Sequence, residues 1–156
     1  MDLGIDGKRA IVCGGSSGLG RAIARALSLE GVHVTLVARD EARLADAAGA
    51  IRTAGGPDVQ TLSVDLAEPA QRDTLVGRLT DVDILINNAG GPPVGDYLDF
   101  TRDQWLTALQ TNMLSAIELM NAALPGMRER RFGRIVNVTS HAVKAPIAPL
   151  SLSNGA

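Results

Sequence analysis

Apolar residues recur along this chain in short blocks, and the spacing within each block names an element. Arg9–Cys13 (RAIVC) is a brief apolar run closed by glycines, which predicts a strand. Residues 19–30 place Ile23, Ala26 and Leu27 at helical spacing and stop at Gly31. Residues 32–38 (VHVTLVA) are β-branched and strand-like. Residues 41–54 put Leu44, Ala47, Ala48 and Ile51 on one helical face, ending at Gly55-Gly56-Pro57. A third strand is expected at 59–64, then a helix at 69–79 with Pro69 in its first turn, where a missing N–H is harmless. Residues 82–87 (VDILIN) form a fourth strand. After the loop AGGPPVGDYLDF, Thr101 and Gln104 have capping-box spacing and start a long helix to about Met127. Its apolar positions are Trp105, Leu109, Met113, Ile117, Met120 and Leu124. Residues 134–139 (RIVNVT) make a fifth strand, and the remainder is rich in Pro and Ser.

Strands alternating with amphipathic helices, and apolar on both faces, predict a parallel sheet covered on both sides. Right-handed crossovers then favour a doubly wound α/β fold: Rossmann-like, three layers, strand order 3-2-1-4-5. In such sheets a ligand binds at the carboxyl ends of the strands, where the order reverses between strands 1 and 4. The length of 156 residues fits a single domain.

Charge narrows the functional classes. Fifteen Lys and Arg nearly balance seventeen Asp and Glu, leaving no footprint for nucleic acid or an anionic membrane. The run Arg128, Arg130, Arg131, Arg134 reads as the solvated end of a helix, complementing its dipole. The single cysteine, Cys13, permits no internal disulfide and fits a reducing compartment. The first residues lack the pattern of a signal peptide and no apolar run is long enough to span a membrane, so a cytoplasmic location is expected. No metal is expected.

The candidate chemistry begins after strand 1, in Gly14-Gly15-Ser16-Ser17-Gly18-Leu19-Gly20. Gly14, Gly18 and Gly20 are spaced G-x-x-x-G-x-G between a strand and a helix. Such glycines permit a tight turn and a close approach to a pyrophosphate, which the helix N–H groups then face. Ser16 and Ser17 can add hydroxyl donors. The pattern resembles the first turn of the short-chain dehydrogenase/reductases, with Cys13 where that family usually has Thr. Asn87-Asn88-Ala89-Gly90 resembles the family's motif after strand 4, and Asp65-Leu66 its acidic position near the adenine ring. Asn112 matches a catalytic-site Asn, and Ser140, closing IVNVTS, matches the catalytic Ser.

The resemblance implies a nicotinamide cofactor and hydride transfer between it and a carbonyl or alcohol. It implies cofactor binding by Gly14, Ser16, Ser17, Gly18, Leu19, Gly20, Asp65, Leu66, Asn88, Ala89 and Gly90. Strand 2 ends Ala38-Arg39-Asp40, and a guanidinium there can pair with a 2′-phosphate, so NADP is expected with NAD left open. Asp40 also reads as a helix N-cap.

In the family a Tyr thirteen residues after the Ser exchanges the proton, and a Lys four residues later lowers its pKa. Here that register falls on Ser153, and the Lys position lies past Ala156. An aliphatic hydroxyl is a poor acid without an adjacent base. Tyr97, His141 and Lys144 are the other candidates for a proton donor, and each reads better as a surface or loop residue. Two functions therefore stand: a short-chain NADP(H)-dependent oxidoreductase, or a catalytically impaired nucleotide-binding sensor or subunit. The domain is expected to be incomplete at its C-terminus, and turnover by 156 residues alone is doubtful. A small carbonyl or alcohol substrate and a homo-oligomer through the 101–127 helix complete the expectation.

Overall fold

The computed structural model describes residues 2–156. Five strands, β1 (Arg9–Cys13), β2 (His33–Ala38), β3 (Gln60–Ser63), β4 (Ile84–Asn87) and β5 (Arg134–Asn137), form one sheet in the order β3-β2-β1-β4-β5. All neighbouring pairs are parallel, as the doubly wound arrangement requires. The crossovers are α1 (Gly18–Leu29), α2 (Glu41–Thr53), α3 (Pro69–Val76) and the pair α4 (Arg102–Leu109) and α5 (Ser115–Glu129). A short helix, α6 (Ser151–Gly155), follows β5.

The two-residue period of the strands divides the core. Ala10, Val12, Val34, Leu36, Ile84 and Ile86 pack against Ala24 of α1 and against Leu44, Ala47, Ala48 and Ile51 of α2. On the other face, Ile11, Cys13, Val37 and Leu85 meet Leu75 of α3 and Leu119, Ala123 and Met127 of α5. The central strands are therefore buried on both faces. The edge strands are not: β3 and β5 remain largely exposed, with Val136 at 46%. β4, by contrast, is fully buried.

Three helical expectations change. In α1 the buried positions are Gly20, Ala24 and Ser28, whereas Ala26 faces out. The 69–79 helix stops at Val76, though Leu79 stays buried beyond it. The long helix is interrupted by a π-helical segment, Gln110–Leu114. Across α4 and α5 the buried residues are Ala108, Ser115, Leu119, Ala123 and Met127, while Met113, Ile117 and Leu124 of the expected stripe are exposed. Small side chains let the helix approach the sheet closely, and hydropathy alone does not choose between two apolar stripes.

Local polar chemistry holds the junctions. Asp40 caps α2, its carboxylate accepting from the Arg43 N–H at 3.0 Å. Thr101 and Gln104 close the capping box that starts α4. Arg130 is no solvated cation, contrary to the reading of the basic run. Its guanidinium donates to the carbonyls of Thr80 and Val82, both at 2.7 Å, and to the Asp83 carboxylate at 3.2 Å, tying α5 to the lead into β4. The Pro- and Ser-rich tail is not wholly irregular. It holds a 3₁₀ turn at His141–Val143 and then α6, anchored by the fully buried Leu152.

Candidate functional site

A cavity of about 740 Å³ opens where the strand order reverses, at the carboxyl ends of β1 and β4. Its floor is the glycine turn. Gly14 and Gly18 take φ of 61° and 51°, the left-handed region that glycine enters without strain. A Cβ on Gly14 would run into the amide and carbonyl of Asn88, and one on Gly20 into the Gly14 carbonyl. The turn and the β4 end are thus packed backbone to backbone, which only glycine allows.

The start of α1 is left open, unlike those of α2 and α4. Ser17 occupies the cap position but makes no capping hydrogen bond, and no acidic side chain lies in the first turn. The orphan N–H groups of that turn, the dipole and two serine hydroxyls therefore remain free to meet an anion. A pyrophosphate is an acceptor of the matching kind, and nothing on Gly18 crowds the approach, since a Cβ there would meet no atom within 4 Å.

Gly14, Ser16, Ser17, Gly18 and Leu19 line the cavity. Gly20 does not, and acts through its contact with Gly14. Arg39, Asp65, Leu66, Asn88, Ala89 and Gly90 line it too. The Arg39 guanidinium lies 3.8 Å from the Asp65 carboxylate across the ends of β2 and β3, and its side chain is 75% exposed. It is held near the rim and free to turn to a stronger anion. Asp65 is itself fixed: its carboxylate accepts from the Ala67 N–H, and its own N–H donates to Gln71.

Asn112 lines the same cavity from the π-helical segment. Its Nδ2 donates to the Ala108 carbonyl at 3.0 Å. A π turn disturbs the regular ladder of carbonyls and N–H groups, and a side-chain donor there compensates. Thr107 and Thr111 also face the cavity, as do Gln104 and Arg43. Sequence reading missed these four as lining residues. The signal was present: 104, 107, 108, 111 and 112 recur at three- and four-residue spacing on one helical face, and Arg43 lies four residues beyond Arg39.

Ser140 and Ser153 are not among the lining residues. Ser140 heads the 3₁₀ turn after β5, where its hydroxyl oxygen accepts from the Ala142 N–H at 3.2 Å. Ser153 is half-buried within α6. Its neighbour Asn154 donates to the Ile147 carbonyl, while the Asn154 Oδ1 is buried without a partner. Tyr97 stands 64% exposed, edge-on to Trp105 at 5.9 Å, and His141 is exposed; neither lines the cavity. No Tyr, His, Lys or Cys lines it among the described residues.

Cys13 sits directly beneath the glycine turn and is completely buried. Burial pushes its thiol up to about 12, partly opposed by a hydrogen bond from the Asn88 backbone. It is a packing residue rather than a nucleophile.

Fold and cleft together define a doubly wound protein with a glycine turn and an uncapped helix start at its switch point. The family model for short chain dehydrogenase matches residues 8–152, and the chain belongs to that family. It is 37% identical over 148 residues to the ketoacyl reductase HetN of a Nostoc species, covering 92% of this chain and 51% of that protein. It is 33% identical to L-xylulose reductase of Mesocricetus auratus, covering 95% of this chain and 59% of that one. A crystal structure of L-sorbose reductase from Gluconobacter frateurii, complexed with NADPH and L-sorbose, superposes with a TM-score of 0.93 at 34% identity. That match covers 99% of this chain and 60% of the other. The chain thus spans about half the length of the curated relatives it matches.

Proposed function

We propose that this chain is the cofactor-binding part of an NADP(H)-dependent oxidoreductase that moves hydride between a nicotinamide and a carbonyl or alcohol carbon. One observation carries the reading: a single cavity gathers the glycine turn, the Arg39–Asp65 rim and Asn112. When bound, the nicotinamide supplies the hydride or accepts it. The protein's own residues bind and orient. The open first turn of α1, with Ser16 and Ser17, meets the pyrophosphate. Arg39 presents a guanidinium fork suited to a 2′-phosphate, and Asp65 with Leu66 forms the wall on the adenine side. Asn88, Ala89 and Gly90 hold the far wall, and Asn112 offers its amide near the reacting end.

Ser140 is assigned to orient the substrate oxygen. Ser153 stands at the proton donor's register, and a serine hydroxyl alone is too weak an acid for that role. The reading therefore gives binding and orientation to this chain. The substrate is a small carbonyl or alcohol compound, the location cytoplasmic, and the assembly a homo-oligomer through the exposed stripe of α4 and α5.

Titration with NADPH and NADH, read by nicotinamide fluorescence and thermal shift, tests the reading. NADPH should bind more tightly, and Arg39→Ala should erase most of that preference, a loss of about tenfold or more for a charge-assisted contact. Absence of any signal with either nucleotide would end the proposal.

A further inference from the structure

Arg72 is the largest fully buried side chain of the described residues, with 1% of its surface exposed. Taking a guanidinium out of water is strongly unfavourable unless its donors are met. Here every nitrogen has a partner. Nε donates to the Glu118 carboxylate at 2.7 Å and Nη2 to its second oxygen at 3.3 Å. Nη1 donates to the main-chain carbonyl of Leu66 at 2.6 Å.

Those partners belong to different elements: Leu66 lines the cleft, and Glu118 stands on α5 outside it. Leu66 belongs to the irregular segment 64–68, and Val64, Asp65, Leu66 and Ala67 all line the cavity. Its two ends are tied into regular elements: the Val64 N–H donates to the Ala38 carbonyl at 2.9 Å, and the Glu68 carbonyl accepts from the Gln71 and Arg72 N–H groups. Between those ends, besides its own turn bonds and the long Arg39–Asp65 pair, the Asp65–Ala67 stretch is fixed from α3, by Gln71 on the Asp65 N–H and by Arg72 on the Leu66 carbonyl. Glu118 lies on α5, in the same continuous run that carries Asn112 six residues earlier. A fork is required for this geometry, since one group must reach a carboxylate and a carbonyl together; a lysine ammonium is a point charge on a flexible stem.

We infer that Arg72 is a positioning residue that sets the Asp65–Ala67 wall against α5 and thereby fixes the adenine half of the nucleotide site. The inference rests on the nucleotide reading of the cleft. Arg72 touches no ligand itself. Its effect should fall on the wall it holds and leave the nicotinamide end alone, whereas a merely structural tie between α3 and α5 would loosen both helices equally.

The test compares wild type with Arg72→Met, Arg72→Lys and Glu118→Gln. Amide hydrogen exchange is measured without ligand, and affinity is measured for adenosine 2′,5′-bisphosphate and, separately, for reduced nicotinamide mononucleotide. In Arg72→Met the Asp65, Ala67 and Glu68 amides should exchange about tenfold faster than in wild type, with α3 and α5 changed much less. The adenosine bisphosphate should bind about tenfold more weakly, and the nicotinamide half as before. Arg72→Lys should recover part of both effects. If Arg72→Met does not fold, Glu118→Gln, which keeps the Leu66 bond, should still accelerate the same amides, by a smaller factor. Wild-type exchange in the 64–68 segment, or acceleration spread evenly over α3 and α5, overturns the inference. If wild type binds neither fragment, the nucleotide reading falls, and the exchange data still decide whether Arg72 sets that wall.

Discussion

Cys13 shows how one position couples packing to pH. The thiol lies under the glycine turn with no exposed surface, and burial raises its pKa from 9.0 to about 12. A raised folded-state pKa favours the neutral thiol in the native protein. The unfolded chain therefore releases its proton first as pH rises, and the contribution to stability is complete below about pH 9 and declines toward pH 12. Denaturant midpoints should fall across that window, with a slope of up to about 1.4 kcal/mol per pH unit from this group. Cys13→Ala should flatten the slope. The same burial makes the thiol inert: a disulfide reagent at pH 8 should label it only on unfolding, and rapid labelling of the native protein would contradict the packing described.

At the scale of elements, the starts of α1, α2 and α4 differ in how they are closed. α2 and α4 are closed by Asp40 and by the Thr101–Gln104 box, while α1 is left open toward the cavity. A closed start stabilises, and an open one is available for an anion. Thr101→Ala should lower stability by about 1 kcal/mol in urea unfolding, the usual effect of losing such a cap. It should leave nucleotide affinity unchanged, because Thr101 does not line the cavity. Ser17→Ala should do the reverse, with little loss of stability and weaker nucleotide binding. A large stability loss in Ser17→Ala would show that its hydroxyl caps after all.

For the whole molecule, the feature that bears on assembly is the outward stripe of α4 and α5. Leu106, Met113, Ile117 and Leu124 are each 41–46% exposed, at spacings of seven, four and seven residues, which sets them on one side of the helical run. Apolar rows of this kind are suited to burial against a symmetric copy. Sedimentation should give a dimer at micromolar concentration, and Ile117→Glu with Leu124→Glu should give a monomer of unchanged far-UV spectrum. A wild-type monomer at those concentrations would remove the stripe from consideration.

The order of elements, the parallel sheet and the glycine turn were determined by the sequence, because period-two and period-3.6 patterns and spaced glycines act locally. The capping box at Thr101 and the cap at Asp40 were legible for the same reason. What tertiary structure decided was orientation. Whether the row containing Met113, Ile117 and Leu124 or the row containing Leu119, Ala123 and Met127 faced the sheet depended on how closely the backbone could approach, and small residues at 108, 115 and 123 settled it. The Arg130 staple arises from partners distant in the chain, invisible to any local window. So does the Arg72 link, whose ends, Leu66 and Glu118, are brought together only when α3 and α5 pack on one face of the sheet.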